Sequence, residues 1–256
     1  MAASAPQRLI NGLTDLGIEK MQEHLAHYSE LVNKGEKSFS EALEELVDIE
    51  KKNKQVRRDA INLHIANFPF IKTFDDFDFD FQPNINKKEL LELNSLAFVE
   101  NKENVVFIGS SGVGKTHLAT ALGISCTKAR QQTYFITFEN LITQLKKAYQ
   151  ENRLETRLKF FSKYKVLIID EIGYMPIDTD TANIFFQLIA KRYEKNSTII
   201  TTNMPFSKWG DFFGSATLAN ALLDRLLHHS EIISIKGPSY RTKDKRALLE
   251  AQVAEE

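Results

Sequence analysis

A glycine-rich loop with one lysine and one threonine carries the clearest chemistry in this 256-residue sequence. It fits the pattern G-x-x-x-x-G-K-[ST], follows the apolar run Val105–Ile108 and precedes a helix-forming stretch. Glycines let successive backbone N–H groups face a phosphate, and the following helix adds the positive end of its dipole. Lys115 is expected to reach the β- and γ-phosphates of ATP, and Thr116 to ligate Mg²⁺. The predicted nucleotide-binding residues here are Gly109, Ser110, Ser111, Gly112, Val113, Gly114, Lys115, Thr116 and His117.

Two adjacent carboxylates end a second apolar run, Val166–Ile169. Parallel α/β sheets place ligands at the C-terminal ends of their strands, so Asp170 and Glu171 are predicted to lie beside the glycine-rich loop. Asp170 is expected to hold Mg²⁺ directly or through water. Glu171 suits a general base that deprotonates an attacking water molecule. The pair therefore favours hydrolysis of ATP over phosphoryl transfer to an organic acceptor.

Three further polar residues are candidates for contacting the phosphates or the attacking water molecule. Asn203 ends a third predicted strand, Thr198–Asn203, where its amide could position the attacking water. Arg225 lies in a predicted helix and could neutralise transition-state charge, often in trans; the alternative is a surface arginine paired with Asp224. Arg241 could fold back to the phosphates, or it could be a solvated cation in the basic segment 236–246.

From residue 105 onward, short β-branched segments alternate with helical stretches. This alternation predicts an α/β fold with a five-stranded parallel sheet flanked by helices. The predicted strands are Val105–Gly109, Thr133–Phe138, Val166–Asp170, Thr198–Asn203 and Glu231–Gly237.

The first third of the chain is predicted to form a separate all-helical domain, residues 1–68. Apolar residues recur at three- to four-residue spacing from Ile18 to Val32 and again from Phe39 to Ile49. Ser38 and Glu41 have the spacing of a capping box. The domain could be a small bundle with solvated charges or a module that docks a partner or DNA.

An aromatic and acidic linker, residues 69–83, opens the predicted ATPase domain of residues 69–256. Four phenylalanines alternate with aspartates between Phe74 and Phe81. This alternation predicts an extended segment with one buried face. We expect the linker to pack as a clasp and not to form a site of its own.

Composition excludes several classes of protein. With 43% apolar and 26% charged residues, the chain is neither collagen-like nor largely disordered. No apolar run is long enough for a membrane span, and the first residues lack the apolar core of a signal peptide. Cys126 is the single cysteine, which excludes an internal disulfide. A cytoplasmic location without a membrane partner is expected.

The net charge of −1 conceals a basic strip, residues 146–165. The strip holds seven basic and two acidic side chains, with four aromatic residues between them. This is the footprint of a surface that binds the phosphate backbone of DNA, although a solvated helical face is the alternative. Low sequence preference is expected, because no base-reading motif is present. The predicted DNA contacts are Lys146, Lys147, Arg153 and Arg157.

With these residues assembled, the sequence resembles the IstB-like helper ATPases. These are AAA+ proteins encoded beside the transposase in two-gene bacterial insertion sequences, and their nearest relatives are the DnaC-type helicase loaders. The resemblance covers nearly the whole chain, including the aromatic linker and the helical domain. It is carried by Gly109–Ala119, Ile169–Pro176, Thr201–Asn203, Leu223–His229 and Ser239–Arg241.

The resemblance implies roles for the matching residues. Asn203 matches the first sensor, Arg225 the arginine finger that acts in trans, and Arg241 the second sensor. The strip after Phe138 corresponds to the extra helix by which loaders and initiators contact DNA inside a helical oligomer. Too few residues follow Ile235 for the full C-terminal lid of many AAA+ modules, so closure of each site is expected to depend on the neighbouring subunit.

The expected function is ATP hydrolysis to ADP and phosphate by a DNA-organising regulator that uses ATP and Mg²⁺. The protein would form a helical or ring-like homo-oligomer on double-stranded target DNA and would recruit and stimulate its cognate transposase. Hydrolysis would control disassembly. Two alternatives stay open: a DnaC-type replicative helicase loader, with the same core and another protein partner, and a P-loop kinase that phosphorylates a small molecule.

Overall fold

The computed structural model of the chain describes residues 5–174 and 176–243. It divides into a helical unit that ends at Asn62 and an α/β unit that begins at Leu63. The division falls inside a long helix, before the boundary at residue 68 that the sequence pattern predicts. Residues 244–246 of the basic segment lie outside the described residues. Among the described residues, no helix is both long and apolar enough to cross a bilayer.

Three helices form the N-terminal unit: α1 (Ala5–Asp15), α2 (Glu19–Asn33) and α3 (Phe39–Ile65). The predicted capping box is confirmed, because Ser38 N–H donates to the Glu41 carboxylate at 2.8 Å and Glu41 N–H donates to Ser38 Oγ at 3.3 Å. Helix α2 has no cap from its own preceding residue.

A carboxylate from the neighbouring helix replaces that missing cap. Glu50 of α3 is buried and accepts hydrogen bonds from the N–H groups of Lys20 and Met21, at 2.8 and 3.0 Å. A negative charge at this end of α2 also complements the helix dipole. The apolar face predicted for α3 is only partly buried: Leu46 is buried, whereas Phe39, the first residue of the helix, is 70% exposed.

The α/β unit contains all five predicted strands, with ends shifted by one or two residues. The strands are β1 (Asn104–Gly109), β2 (Thr133–Thr137), β3 (Val166–Ile172), β4 (Ser197–Thr202) and β5 (Ser230–Ile235). The helices are α4 (Lys87–Leu93), α5 (Ala97–Glu100), α6 (Lys115–Lys128), α7 (Phe138–Gln150), α8 (Leu154–Ser162), α9 (Thr179–Arg192), α10 (Trp209–Phe212) and α11 (Ala216–Leu227). Short 3₁₀ turns cover Phe206–Lys208 and Tyr240–Thr242.

The sheet is parallel throughout, with strand order β2-β3-β4-β1-β5. Its strands alternate their side chains between two apolar clusters, one on each face. In β3, for example, Leu167 and Ile169 join one cluster, whereas Ile168 joins the other. Strands β1, β4 and β3 are neighbours in that order, so their C-terminal ends bring three of the predicted motifs to one edge of the sheet.

The aromatic linker does not form the extended segment that its alternation predicts. Residues 74–82 form a series of turns, because the N–H groups of Phe77, Phe79 and Gln82 donate to carbonyls two or three residues earlier. Phe77 is buried, and Phe74 and Phe79 pack beside it against the cluster that includes Val113 and Leu118. The aromatic residues therefore enter the core, but through turns and not through a strand.

A buried arginine joins the end of α8 and the turn before β3 to the start of β4. Arg192 is only 1% exposed, and its guanidinium donates to the carbonyls of Phe161 and Tyr164, both at 2.9 Å, and to Ser197. It also donates to Thr198 Oγ1 at 3.0 Å. Burial lowers the pKa of Arg192 to about 9, which still leaves it charged near neutral pH.

We predict that Arg192→Met destabilises the α/β unit by about 3 kcal/mol, because it leaves several buried carbonyl oxygens without a donor. Thermal and urea unfolding would measure the loss. Lys191→Met is the matched control, since among the described residues Lys191 forms only an exposed ion pair with Glu155, and its loss should change stability by less than about 1 kcal/mol. Equal effects of the two substitutions would contradict a structural role for Arg192.

Candidate nucleotide-binding site

The glycine-rich loop joins β1 to α6, and two of its residues need glycine. Gly112 and Gly114 have φ angles of 80° and 101°, in the left-handed region that side chains disfavour. A Cβ at Gly112 would overlap the Ser239 hydroxyl, and one at Gly114 would lie 2.5 Å from the Phe77 ring. Gly114 is also the N-cap of α6, so the open end of that helix faces the loop.

Lys115 lies at the mouth of this loop. Its ammonium group donates to the carbonyl oxygens of Gly109 and Ser110, at 2.8 and 2.7 Å. Partial burial lowers the pKa of Lys115, while the nearby charges of Asp170 and Glu171 oppose that shift. The ammonium is therefore held by two carbonyl oxygens of the loop itself.

Asp170 is the buried centre of a hydroxyl network. It is 3% exposed, and its two oxygens accept from Thr116 Oγ1 at 3.0 and 3.1 Å. Thr201 Oγ1 of β4 donates to the same carboxylate at 2.5 Å. Burial raises the pKa of Asp170, and the two hydroxyl donors counteract part of that rise. A carboxylate beside a hydroxyl is a hard-oxygen donor set, so Thr116 and Asp170 fit a magnesium ion.

A β-bulge turns Glu171 away from the sheet. Ile169 pairs with Ile200 and Ile172 with Thr202, so two residues of β3 lie opposite the single residue Thr201 of β4. Glu171 has a φ of 66°, and its N–H donates to Thr201 Oγ1 at 2.9 Å. The bulge therefore directs the Glu171 side chain into the cavity above the strand ends, while Asp170 stays buried.

These elements surround one cavity of about 280 Å³. Glu171, Asn203 and Arg241, which lie far apart in sequence, line it together with the loop from Ser111 to His117. Asn203 and Arg241 are both exposed to this space. The complete lining is Phe70, Lys72, Asp76, Phe77, Asp78, Gln82, Ser111, Gly112, Val113, Gly114, Lys115, Thr116, His117, Glu171, Tyr174, Asn203, Tyr240 and Arg241.

The linker forms part of this cavity, which corrects the expectation that it only packs as a clasp. Phe77 and Asp78 are among its six residues in the lining. His117 fixes the linker in place, because its Nε2 lies 2.9 Å from the Thr73 carbonyl oxygen and its ring meets those of Phe70 and Phe77 edge-on. The alternating phenylalanines were the only sequence signal for this part of the site.

Arg225 is not among the residues that line the cavity. Its guanidinium lies 4.6 Å from the centre of the Phe186 ring and donates to the Ala221 carbonyl at 3.0 Å. In the part of the chain that the structure describes, Arg225 and Asp224 form no ion pair. The arginine is thus half-exposed on α11, apart from the nucleotide site of its own chain.

The basic strip covers the C-terminal end of α7, all of α8 and the turns around them. Six of its seven basic side chains are exposed, namely Lys146, Lys147, Arg153, Lys159, Lys163 and Lys165. Lys146 pairs with Asp178 at 2.8 Å, and Arg153 pairs with Glu151. Arg157 is different, because it is half-buried over the rings of Phe160 and Phe161.

The aromatic residues of the strip are structural. Phe161 and Tyr164 are buried, and Phe160 is half-buried in a cluster with Tyr134 of β2. Only Tyr149 is exposed. The strip therefore offers charges to its surroundings and few faces on which a base could stack.

A parallel sheet in this order, with a glycine-rich loop after β1 and two carboxylates at the end of β3, defines a P-loop protein of the AAA+ class. Within that class, the chain belongs to the family described as "IstB-like ATP binding protein", whose family model matches residues 11–248.

Relatives that match the chain along most of their length are named after bacterial insertion sequences. A protein of Bacillus thuringiensis named as an ATP-binding protein of insertion sequence IS232 is 50% identical over 93% of this chain and 95% of its own. A protein of Pseudomonas aeruginosa named likewise for IS21 is 46% identical over 91% of this chain and 88% of its own.

Solved structures with a similar fold include replication proteins. The crystal structure of the DnaC helicase loader has a TM-score of 0.51 and 25% identity, over 67% of this chain and 97% of that one. The crystal structure of DnaI has a TM-score of 0.54 and 19% identity, over 68% of this chain and 93% of that one. The DnaI likeness supports the fold alone.

We predict that Gly112→Ala weakens ATP binding about tenfold, because it strains a left-handed position and pushes Ser239 out of its place beside the loop. Titration with a fluorescent ATP analogue would measure the affinity. Gly210→Ala is the matched control, since a Cβ there meets only ordinary van der Waals contacts with Ala216. Unchanged binding in Gly112→Ala would show that the loop tolerates a side chain at this position.

Proposed function

We propose that this protein hydrolyses ATP and uses the nucleotide to control a homo-oligomer on double-stranded DNA, to which it recruits and stimulates the transposase of its insertion sequence. The observation that carries the proposal is the split arrangement of the site. Lys115, Glu171, Asn203 and Arg241 share one cavity, whereas Arg225 of α11 lies outside it and packs over Phe186. Because Arg225, the proposed arginine finger, lies outside the cavity of its own chain, we infer that it acts on the site of a second subunit.

Hydrolysis needs a water molecule, a base and compensation of phosphate charge. Glu171 is the proposed base, since the bulge exposes its carboxylate to the cavity. Asn203 is proposed to orient the attacking water, and Lys115 to bind the β- and γ-phosphates. Thr116 and Asp170 would hold Mg²⁺, which neutralises phosphate charge when bound.

Assembly on DNA would follow from the positions of the finger and the basic strip. Arg225 is proposed to reach the ATP of a neighbouring subunit, so that bound ATP joins two copies and hydrolysis releases them. A head-to-tail contact of this kind generates rings or helices. The exposed lysines of the strip would then bind DNA phosphates, with little sequence preference because no base-reading surface accompanies them.

The proposed protein partner is the cognate transposase, because the relatives named above belong to insertion sequences. A replicative helicase is the second candidate, favoured by the likeness to the DnaC helicase loader. Parallel binding assays with the purified transposase and the host helicase, each with ATP and DNA present, would separate the two. Binding of the helicase alone would replace the proposed partner.

One prediction of the proposed function concerns catalysis across a subunit boundary. Glu171→Gln and Arg225→Ala should each bind ATP but lose nearly all hydrolysis, because one lacks the base and the other the finger. When the two are mixed, some boundaries combine an intact Glu171 with an intact Arg225, and about a quarter of wild-type activity should return. Phosphate release in the presence of DNA is the measurement.

A third variant, Lys115→Ala, serves as the control for the mixing experiment. This variant keeps Arg225 but should not bind ATP. Mixing it with Arg225→Ala should therefore restore hydrolysis, whereas mixing it with Glu171→Gln should not. Absence of recovery in every mixture would contradict a finger supplied in trans.

Another prediction of the proposed function concerns DNA binding. Replacing Lys146, Lys147 and Arg153 by glutamine should weaken DNA binding and reduce the slope of log affinity against log salt concentration by about 2–3. Arg157 is left unchanged because it is packed over two phenylalanines. Fluorescence anisotropy with a random-sequence duplex at several salt concentrations is the measurement.

The control for that experiment removes the same charge elsewhere. Lys87, Lys88 and Lys102 are exposed lysines outside the strip, and their replacement by glutamine should leave the salt slope nearly unchanged. If both triple variants bind DNA alike, the DNA contact lies elsewhere, for example at the basic residues 51–58 of α3.

A further inference from the structure

The segment that follows β5, residues 236–243, is hydrogen-bonded to the glycine-rich loop. The N–H of Tyr240 donates to the Gly112 carbonyl at 2.8 Å, and Ser239 occupies the space that the missing side chain of Gly112 leaves open. The 3₁₀ turn Tyr240–Thr242 follows directly and carries Arg241. The backbone beside Arg241 is therefore set against the loop that would hold the phosphates.

The start of this segment is hydrogen-bonded to the end of the linker and to the residue after it. Gln82 is 2% exposed and its Nε2 donates to the Pro238 carbonyl at 2.7 Å, while Asn84 donates to the Lys236 carbonyl at 3.2 Å. Gly237 has no side chain where the Gln82 amide lies, and a Cβ there would overlap it. Gln82 of the linker and Asn84 just after it thus hold the start of the segment.

An ion pair between Lys243 and Asp78 makes a further contact between this segment and the linker, two residues beyond Arg241. The Lys243 ammonium lies 2.6 Å from an Asp78 carboxylate oxygen, and 5.1 Å from the ring centres of both Phe81 and Tyr240. Those two rings meet edge-on at 5.3 Å. Lys243 and the Phe81 N–H keep the pKa of Asp78 below its usual value, so its carboxylate stays ionised at neutral pH. Asp78 itself lines the nucleotide cavity.

The backbone position of Arg241 depends on these contacts with the glycine-rich loop and the linker. Among the described residues, its guanidinium has no hydrogen bond or ion pair, and the side chain is exposed to the cavity. The backbone of residues 239–243 thus sets the point from which the Arg241 side chain extends. That backbone is held on one side by Gly112 and on the other by the linker.

We propose that Asp78 is a positioning residue that, through Lys243, holds Arg241 toward the γ-phosphate of ATP and so couples the linker to nucleotide discrimination. The inference rests on the proposed function, in which Arg241 contacts the phosphates. An ion pair with both partners partly exposed contributes little to stability. Its effect is therefore expected in the preference for ATP over ADP and not in the unfolding temperature.

The test exploits the opposite charges of the two partners. Asp78→Asn removes a negative charge near the phosphates and Lys243→Gln removes a positive one, so simple electrostatics predicts opposite effects on ATP affinity. Positioning predicts that each variant loses affinity for a non-hydrolysable ATP analogue by about threefold to fivefold relative to ADP. The double variant should lose no more than either single variant. Calorimetric titration of the full chain with the analogue and with ADP is the measurement.

Two controls make the result specific. Asp80→Asn removes the same charge from an exposed linker position and should leave the ratio of ATP to ADP affinity unchanged. In an Arg241→Ala background, Asp78→Asn should cause no further loss. Opposite effects of the two single variants, or an equal loss from Asp78→Asn with and without Arg241, would overturn the inference.

The outcomes also separate this inference from the proposed function. If Arg241→Ala loses ATP discrimination and Asp78→Asn does not, Arg241 keeps its role and only the positioning role of Asp78 fails. If Arg241→Ala itself leaves discrimination unchanged, the phosphate contact in the proposed function fails, and the inference fails with it. Thermal unfolding of each variant would confirm that losses do not arise from misfolding.

Discussion

The hydrogen bonds that two hydroxyl groups donate to the buried carboxylate of Asp170 are the interaction on which the rest of the site depends. A charge taken out of water is costly unless hydrogen bonds compensate it, and here hydroxyls from α6 and β4 do so. Because Thr201 donates to Asp170 and also accepts from the Glu171 N–H, the same hydroxyl secures the bulge that exposes Glu171. The two carboxylates are adjacent in sequence, yet one is sealed in the sheet and the other open to the cavity.

The fold and the core of the site could be predicted because their signals are local. The β-branched runs mark the strands, and the loop from Gly109 to Thr116 has a spacing that few other structures require. Parallel strands then bring the ends of β1, β3 and β4 together without any further information. Helix α1 was not predicted. The capping box at Ser38 was, because its two partners lie three residues apart.

The linker and the bulge could not be predicted, because both depend on distant partners. Alternating phenylalanines and aspartates are typical of an extended strand, but Phe77 packs beside Gly114 and Asp78 pairs with Lys243, 165 residues further along. Likewise, nothing in Asp170-Glu171 indicates that two residues will lie opposite one on β4. The burial of the aromatic residues in the strip could not be predicted for a similar reason: their interleaving with lysines is visible in the sequence, but their packing around Tyr134 is not.

Arg192 has a consequence for how this protein could shape a bound nucleic acid. Its guanidinium joins the end of α8 and the turn before β3 to the first residues of β4, so the C-terminal part of the basic strip is fixed to the sheet. Flexible basic arms adapt to the path of a duplex, whereas charges on a rigid body impose a path. If the strip binds DNA, the curvature of the duplex would be dictated by the rotation between successive subunits, and every nucleotide-dependent change in that rotation would be transmitted to the DNA as bending or unbending.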